Sequence, residues 1–413
     1  MTAPVTAGGA PLDAGTLVPP GAAPVLRLLR SGPPRTRSEI AAETGLARST
    51  VQARVDQLVA AGLVAPAGEA PSTGGRPPAR VEFRPDARVV LAVDLGAAHG
   101  SVAVADLAGR ALGSRSRALA IADGPGPVLD WVAEAAAELL AELGGAGGSA
   151  AGSTGVLVGA GVGLPGPVEH ATGRPVRPPI MPGWDGVDVP GEVRARLVAR
   201  GLAPGAGDVP VLVDNDVNLL ALGEHASSWP AEEDLLFVKV ATGVGAGVVS
   251  GGRLQRGAQG SAGDLGAVHV AGPGGAGVPG SSDDGTTLEA LASGTAVAAR
   301  LRAHGREART SRDVVALVRA GDPLALDLVR QAGRDLGEVL STCVNLLNPG
   351  ALVVGGSLAL AGEDLLAGVR EVVYRRSTPL ATRHLTIATP RAGADGALLG
   401  AALVVAQHLL DPA

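Results

Sequence analysis

The sequence predicts two folded units: a small α+β unit of the winged helix-turn-helix type, followed by a larger α/β unit. The chain has 413 residues, which is more than one ordinary domain holds. Short helical patterns and then a hairpin fill residues 25–83, whereas from residue 89 onward apolar strands ending in Gly-rich turns alternate with helices. We therefore assign the first unit to residues 23–84 and the linker to residues 84–87.

The composition favours a folded protein that makes no use of cysteine chemistry. Ala, Val and Leu supply most of the hydrophobic fraction of 46%, which is enough for a core despite 62 Gly and 31 Pro. Residues 1–22 are the exception, because they are rich in Ala, Gly, Pro and Thr without any period, and we expect a disordered tail there. Cys343 is the single cysteine, which excludes an intramolecular disulfide and a cysteine-clustered metal site.

The charge of the chain limits the kinds of molecule that it can bind. A net charge of −6 excludes a polycation, so nucleic-acid binding has to come from a local patch. Lys239 is the only lysine, which we interpret, with the excess of Ala, Gly and Pro, as the bias of a GC-rich genome. Because we find no apolar run of membrane-spanning length and no signal-peptide layout, we expect a cytoplasmic protein with no membrane partner.

The first unit contains a helix-turn-helix pattern. Thr36 and Glu39 have the spacing of a capping box, so a helix begins there. Gly45 breaks this helix in a tight turn, and a second helix is predicted over residues 48–61, with Gly62 ending it. The apolar stripe of the second helix consists of Val51, Val55 and Leu58.

The opposite face of the second helix carries short polar and guanidinium groups, which suit a helix lying in the major groove of DNA. The candidate DNA contacts on this helix are Arg48, Ser49, Thr50, Gln52 and Arg54. A turn-rich stretch at residues 72–77 predicts a two-stranded wing with Arg76 at its tip, placed for phosphate or minor-groove contact. A helical packing unit with merely solvated arginines is the alternative, but the ordered combination of these features favours DNA binding.

The second unit has the element pattern of an α/β domain. Predicted helices cover residues 128–143 and 335–347, and Gly-rich loops cover residues 147–155 and 272–285. The predicted strands are residues 89–93, 101–105, 156–161, 211–213, 236–240, 246–249 and 351–354.

Four motifs follow one another in this unit, each at the end of a strand or the start of a helix. They are residues 94–96, residues 163–167 with 182–185, residues 215–218, and residues 242–247 with 256–266. Together with the winged helix, this ordered set resembles the ROK family (repressor, open reading frame, kinase) from about residue 25 to residue 413.

The resemblance implies an actin-like, ribonuclease H-like α/β domain of two lobes at residues 89–410, with the ligand bound between the lobes. The first lobe is expected at about residues 89–210 plus a C-terminal helix within residues 393–410. The second lobe is expected at about residues 211–392.

The resemblance also implies roles for individual residues. In the family's kinases, an Asp of an Asn-Asp pair accepts the proton of the attacking sugar hydroxyl, and Asp216 matches it here as a vestigial general base. The implied sugar ligands are Asn215, Asp216, Asp264 and Glu289. The implied ATP contacts are Asp94 near the metal or its waters, Gly96, Thr242, Gly243, Gly355 and Gly356.

The chain departs from the family's kinases at several of these positions. After the first motif the kinases carry Gly, Thr and usually Lys, whereas this chain has Ala97, Ala98 and His99, so a phosphate-binding hydroxyl is lost. Ala267 replaces the family's zinc-binding His, and the matching stretch has no Cys, so we expect no zinc and no other metal. Ile180 stands where an Asn that holds the sugar is usual. ATP and Mg²⁺ are expected only if kinase activity remains.

We therefore predict a DNA-binding transcriptional regulator, most simply a repressor, rather than an enzyme. Its expected partners are operator DNA, a small sugar or sugar phosphate effector, and further copies of itself in a homodimer or higher oligomer, because paired half-sites require paired helices. Two alternatives stay open at this point: an active ATP-dependent sugar kinase that carries a DNA-binding arm, and a ligand-blind dimeric DNA-binding protein.

Overall fold

The computed structural model describes residues 17–69, 78–145, 156–203, 209–270 and 286–411. Four of the regions discussed above lie outside these ranges: residues 1–16 of the tail, the wing tip with Arg76, and the two loops predicted at residues 147–155 and 272–285.

Within the described residues, the first unit has three helices and a three-stranded antiparallel sheet; the sequence predicts short helices and a two-stranded hairpin, and β1 is the strand it misses. Its elements are α1 (Ala23–Arg30), β1 (Arg35–Thr36), α2 (Arg37–Thr44), α3 (Arg48–Ala60), β2 (Val64–Glu69) and β3 (Ala79–Phe83), with sheet order β1-β3-β2. The predicted capping box is present: the Thr36 hydroxyl accepts a hydrogen bond from the Glu39 backbone N–H (3.2 Å), and the Glu39 carboxylate accepts one from the Thr36 N–H (2.7 Å). Gly45 ends α2 at φ 68°, a left-handed conformation that glycine adopts without strain.

The predicted extent of the N-terminal tail is wrong, because residues 17–22 are packed. The Leu17 N–H donates to the Leu409 carbonyl (3.0 Å), and Val18 and Ala22 are buried. Composition alone missed this segment because its apolar side chains find their partners almost four hundred residues later in the chain.

The first lobe is built on a five-stranded sheet of order β10-β7-β4-β5-β6, in which β7 and β10 run parallel to β4. The elements of this part of the chain are β4 (Val89–Leu95), β5 (His99–Asp106), β6 (Ala111–Ala118), α4 (Pro125–Gly145), β7 (Leu157–Leu164), β8 (Val168–Glu169), β9 (Arg174–Pro175), α5 (Val189–Ala199), β10 (Val211–Asn215) and α6 (Asp216–Ser228). The predicted lobe boundary at residue 211 is wrong, since β10 pairs with β7 from Val211 to Asn215.

The second lobe is built on a five-stranded sheet of order β13-β12-β11-β16-β17. Its elements are β11 (Leu235–Val240), β12 (Val244–Ser250), β13 (Arg253–Gln255), β14 (His269–Val270), β15 (Thr286–Thr287), α7 (Leu288–Ala292), α8 (Gly294–Ala303), α9 (Ser311–Arg319), α10 (Pro323–Leu347), β16 (Ala351–Gly355), α11 (Glu363–Arg376), α12 (Pro379–Thr382) and β17 (Thr386–Ala388). After it, α13 (Gly396–Leu410) returns to the first lobe and packs on β4 and β7, as predicted.

Helix α10 begins twelve residues before the predicted start at residue 335. The Asp322 carboxylate caps it by accepting from the Ala325 N–H (3.0 Å), and a proline follows at the first helical position. Gly333 lies inside the helix because α11 packs there without space for a side chain: a Cβ on Gly333 would lie 2.2 Å from the Leu365 carbonyl oxygen. A glycine that serves packing therefore hid the helical pattern.

Helices α6 and α13 cross between the two sheets at backbone contact. A Cβ on Gly223 of α6 would lie 1.9 Å from the Gly396 carbonyl oxygen of α13, and a Cβ on Gly400 would lie 1.9 Å from the Leu219 carbonyl oxygen. Only glycine at both positions allows this approach, so the two helices cannot shift relative to each other without opening the crossing.

A buried carboxylate strengthens the same crossing. Glu224 of α6 is 1% exposed. Its carboxylate accepts hydrogen bonds from the backbone N–H groups of Arg391 and Ala392 (both 2.8 Å) and from the Trp229 indole (3.1 Å). The segment that leads into α13 is therefore tied to α6 by a charge-assisted set of hydrogen bonds.

One stretch of the described chain, Gly393–Leu410, is long and apolar enough to span a membrane, with a mean hydropathy of 1.4. This differs from the sequence-based expectation that no apolar run reaches that length. In the structure 61% of this stretch is buried against the first sheet and α6. It is therefore a core helix of the first lobe.

The winged helix rests on the C-terminal end of α13. Apolar side chains of both form one cluster, which includes Val25, Leu26, Leu29, Val405, Leu409 and Leu410. The Asp411 carboxylate accepts from Arg30 Nη1 (2.8 Å), and Arg27 Nε lies 3.6 Å from it. The helix that crosses between the lobes is thus also the platform of the DNA-binding unit.

Replacing Asp411 by asparagine is expected to loosen that platform. The Arg30 and Asp411 side chains are 18% and 32% exposed, so loss of the pair should cost about 1 kcal/mol rather than the larger cost of a fully buried pair. Hydrogen exchange of the full chain should become faster in α1 and stay unchanged in the second lobe. Asp327→Asn is the matched control, since this aspartate is exposed and we see no partner for it in the described ranges. Equal exchange of α1 in both variants would contradict the expectation.

Candidate functional site

The exposed face of α3 carries the predicted DNA contacts. Val51, Val55 and Leu58 are fully buried, so they form the predicted apolar stripe. On the other side of the helix, Arg48, Ser49 and Gln52 are exposed, whereas Thr50 and Arg54 are half-buried. Burial therefore orients α3 as the sequence pattern requires.

The side chains on this face differ in their freedom to contact DNA. Gln52 Nε2 donates to both carboxylate oxygens of Asp56 (2.8 and 2.7 Å). The Gln52 amide must therefore give up these hydrogen bonds before it can contact a DNA base. Arg54 Nη1 donates to the Pro20 carbonyl (2.7 Å), so this arginine fastens the segment before α1 to α3. We find no intramolecular hydrogen bond or ion pair of Arg48 within the described part of the chain. Arg48 is thus the side chain best placed for an external partner.

The start of α3 has no side-chain cap. Ala47 stands at the N-cap position, as expected from the sequence, and its methyl group cannot accept a hydrogen bond from the first N–H groups of the helix. The first N–H groups of a 13-residue helix therefore face outward beside the exposed Arg48 and Ser49.

In the larger unit, Asn215 has a structural role at the junction of β10 and α6. Its Oδ1 accepts from the Val217 N–H (2.8 Å), so Asn215 caps α6, and its Nδ2 donates to the Gly166 carbonyl (2.9 Å). The side chain thereby joins two of the sequence motifs, and Asp216, the first residue of the helix, is left for other contacts.

Asp216 is 3% exposed and forms an ion pair with Lys239 of β11, with 2.5 Å between Oδ2 and Nζ. Burial raises the pKa of Asp216 above its ordinary value, the positive charge of Lys239 opposes this, and the negative charge of Asp94 adds to it. Burial lowers the pKa of Lys239, but the charge of Asp216 and its hydrogen bond outweigh burial, so the Lys239 pKa lies above its ordinary value. Each of the two charges therefore stabilises the ionised form of the other side chain.

Asp94 lies near the end of β4, close enough for its charge to act on Asp216. His99 Nε2 is 3.4 Å from Asp94 Oδ2, and the Gly96 N–H donates to the His99 carbonyl (2.9 Å). A Cβ on Gly96 would lie 2.1 Å from the His99 ring, so the imidazole covers the turn at which a phosphate was expected to approach. We call Asp94, His99, Asp216 and Lys239 the cleft cluster.

The turn between β11 and β12 is occupied by Glu289, at the start of α7. Glu289 Oε2 accepts from the Val244 N–H (3.0 Å), and a Cβ on Gly243 would lie 2.4 Å from the same oxygen. The Thr242 carbonyl accepts from the Thr295 hydroxyl (2.9 Å). The predicted sugar ligand Glu289 and the predicted phosphate turn at Thr242 and Gly243 are therefore joined to each other.

The remaining predicted site residues lie on the second lobe, and one of them, Gly355, is the cross-strand partner of Lys239. Asp264 is exposed and precedes a short turn (Leu265–Ala267), which its side chain does not cap. Gly355 ends β16 and Gly356 follows it; a Cβ on Gly356 would lie 2.4 Å from the Val240 carbonyl oxygen, so this glycine allows close packing on β11. Within the described ranges we find no group of three or more His, Cys, Asp or Glu side chains that could hold a metal. The absence of zinc remains a prediction from the missing ligands.

Sequence reasoning missed a second buried ion pair beside Asn215. Asp214 is 5% exposed, and its carboxylate accepts from Arg256 Nε (2.6 Å) and from Asn218 Nδ2 (2.7 Å). Arg256 begins the stretch that carries Asp264, so this pair anchors that stretch to β10. Burial lowers the pKa of His170, and the neighbouring charge of Arg256 lowers it further.

Lys239 was missed for another reason. Genome composition accounts for the scarcity of lysine. It does not account for the position of the single lysine, on a strand three residues before a Gly-rich turn, and that position is a usable signal of a functional residue. Asp214 gave a weaker signal, because a strand-terminal acidic residue next to an Asn-Asp pair has no distinctive pattern.

Comparisons with known proteins agree with this architecture. The sequence model of the ROK family matches residues 90–408, and that of the MarR family matches residues 18–76. The chain is 26% identical over 395 residues to a putative xylose repressor of Caldicellulosiruptor sp. (strain Rt8B.4), covering 91% of this chain and 92% of that protein.

Two solved structures are similar in fold. A ROK family transcriptional regulator, a homologue of the E. coli MLC protein, has a TM-score of 0.74 and 24% identity, over 94% of this chain and 96% of its own. The ROK hexokinase from Thermus thermophilus has a TM-score of 0.59 and 32% identity, over 76% of this chain and 97% of its own. The match to a regulator thus extends over the winged helix, whereas the match to the kinase covers a smaller share of the chain.

Proposed function

The chain belongs to the ROK family, and from this premise we propose that it is a DNA-binding transcriptional regulator, most simply a repressor, whose kinase-like domain senses a sugar or a sugar phosphate. The observation that carries the proposal is the exposed polar face of α3 on a unit that is fastened to α13 of the ligand-binding lobes. The similarity to a putative xylose repressor over both units supports it.

DNA recognition is assigned to α3. The helix would lie in the major groove, where Arg48 and Gln52 can contact base edges and Ser49 can contact the backbone. The uncapped first turn of α3 favours a DNA phosphate, because its N–H groups and the helix dipole attract anions. A local patch of this kind is compatible with a net charge of −6 for the chain.

Operator recognition is assigned to a homodimer or a higher oligomer. One winged helix reads a short half-site, so a second copy at the spacing of a DNA turn supplies the second half-site. A homodimer has one defined distance between its two α3 helices, and operator affinity depends on that distance.

Control by the ligand is assigned to the crossing of α6 and α13. Asp216 begins α6 in the cleft, and Gly223 and Gly400 hold the crossing helices at backbone contact. A ligand that changes the angle between the lobes therefore moves α13, and the contacts of Arg30 with Asp411 pass this movement to the winged helix. The response is a shift between dimers that fit the operator and dimers that do not.

We propose that phosphoryl transfer has been lost in this chain, so that it is not an enzyme. Ala98 lacks the hydroxyl that the family's kinases carry at this position, and the His99 ring covers Gly96. The Asp216 carboxylate is already paired with Lys239. The similarity to a hexokinase and the Asp216 motif support the alternative of a sugar kinase with a DNA-binding arm. An ATP-consumption assay over a panel of hexoses, with Asp216→Asn as the control, separates the two functions.

We further propose that the protein acts in the cytoplasm, where operator DNA and sugar effectors are present, and that it requires neither zinc nor ATP. A chelator is therefore expected to leave operator binding unchanged.

Operator affinity measured with and without sugars tests the main proposal. Genomic fragments captured by the tagged protein serve as probes, at one fixed salt concentration, with neutral sugars and their phosphates as effectors. An effector that couples to DNA binding is expected to change the affinity by about 5- to 150-fold. If no fragment is captured, DNA binding is excluded; if fragments bind but no sugar changes their affinity, the ligand-blind dimer is the better description.

A further inference from the structure

The cleft holds a fixed positive charge. Lys239 is the only lysine of the chain, and its side chain is 23% exposed on β11. Its Nζ lies 2.5 Å from Asp216 Oδ2, the distance of a charge-assisted hydrogen bond. This ammonium group is therefore held against the carboxylate that, by family resemblance, once acted as the general base.

A second carboxylate acts on the same ammonium. Asp94 lies near enough for its negative charge to raise the pKa of both Asp216 and Lys239. By resemblance, Asp94 is the residue near the metal or its waters in the family's kinases. Lys239 thus pairs with Asp216 and lies within electrostatic range of Asp94, the two acidic residues whose charges a metal–nucleotide complex would otherwise balance.

The residues present do not fit a magnesium–nucleotide complex. Mg²⁺ binds through carboxylates and retained waters, and a fixed ammonium beside Asp216 repels a second cation. The turn at Gly96 is covered by the His99 ring, and the Val244 N–H of the other turn is already bound by Glu289. A phosphate group at these turns would therefore meet a competing cation at Asp216 and two backbone donors, those of Gly96 and Val244, that are already bonded.

We propose that Lys239 is an internal counter-ion that replaces the metal–nucleotide in the cleft, so that the site binds its ligand without metal or nucleotide. The inference rests on the proposed loss of phosphoryl transfer but not on DNA binding. It gives Lys239 a direct part in the difference between a catalytic cleft and a sensing cleft: with Lys239 in place, Asp216 is paired before any sugar hydroxyl arrives.

Binding of Mn²⁺ alone to the full chain, followed by the electron paramagnetic resonance signal of the free ion, tests the proposal. The wild type and the charge-retaining Lys239→Arg variant are expected to bind Mn²⁺ only as weakly as exposed carboxylates do. Lys239→Met, which keeps the length of the side chain and removes its charge, is expected to gain one site at least about tenfold tighter. Adding Asp216→Asn to Lys239→Met should abolish the gained site.

Lys239→Gln keeps a hydrogen-bond donor for Asp216 and serves if the methionine variant does not fold, as judged by thermal unfolding. A wild type that binds Mn²⁺ as tightly as a folded uncharged variant would overturn the proposal, as would folded uncharged variants that gain no site. Neither DNA nor sugar is present in this titration, so its result is independent of whether the protein regulates transcription.

Discussion

Replacing Gly223 by alanine is expected to remove a large part of the protein's stability. The new Cβ would lie 1.9 Å from the Gly396 carbonyl oxygen and 2.8 Å from the Gly396 carbonyl carbon. Both are backbone atoms of α13, so no side-chain rotation can relieve the contact, and the two helices must separate. Overpacking typically costs about 1–3 kcal/mol and occasionally more, and a contact between backbone atoms belongs at the upper end, so the loss is a large fraction of the roughly 5–15 kcal/mol that is usual for folded proteins. Denaturant unfolding of the full chain measures the loss.

Gly126→Ala is the matched control for this substitution. Gly126 lies in the first turn of α4, and a Cβ there would have nothing within 4 Å. The control is expected to cost less than about 1 kcal/mol, because the helical preference of alanine offsets the restriction that Pro127 places on the residue before it. If the two variants unfold within about 1 kcal/mol of each other, the crossing is not the tight contact that the structure indicates.

Replacing Arg48 by alanine is expected to produce the largest loss of operator affinity of any single change on α3. Arg48 is exposed, and within the described ranges its guanidinium has no internal partner to lose, so the substitution should leave stability unchanged. An arginine that contacts a base or a phosphate contributes about 1–3 kcal/mol, a factor of roughly 5 to 150 for each copy of the helix. Fluorescence anisotropy with a captured operator, at one salt concentration, measures the change.

Arg312→Ala removes the same charge from an exposed position on α9 of the second lobe and serves as the control. It is expected to bind the operator like the wild type. Equal losses in the two variants would mean that the affinity follows total charge rather than the placement of Arg48, and the assignment of α3 as the recognition helix would fail.

Local signals predict most elements of the first unit, though not β1, and most strands of the second. The capping box of Thr36 with Glu39 and the turn at Gly45 depend on residues a few positions apart, so the sequence specifies them directly. The start of α10 was missed because Gly333 interrupts the helical pattern for the sake of a contact with α11. That contact belongs to the tertiary structure and leaves no local trace.

Features that depend on distant partners could not be read from the sequence. The packing of Val18 requires α13, and the membership of β10 in the first sheet requires its pairing with β7. The functional site likewise has a part that the sequence predicts and a part that only the fold shows. Motif spacing located Asp94 and Asp216, but the ion pair with Lys239 joins two separate strands and becomes visible only in the fold.

The ribosome makes the winged helix first, but this unit can dock only after α13, which supports it, has been made. The face of α1 with Leu26 is synthesised more than 350 residues before Leu409, its partner in the shared apolar cluster. Ile40 and Leu58 give the nascent DNA-binding unit a small core of its own, but its docking surface stays exposed to water until the last helix emerges. Assembly of the regulator is therefore a late, long-range step of folding, and a chain shortened before α13 would carry a DNA-binding unit that has no platform.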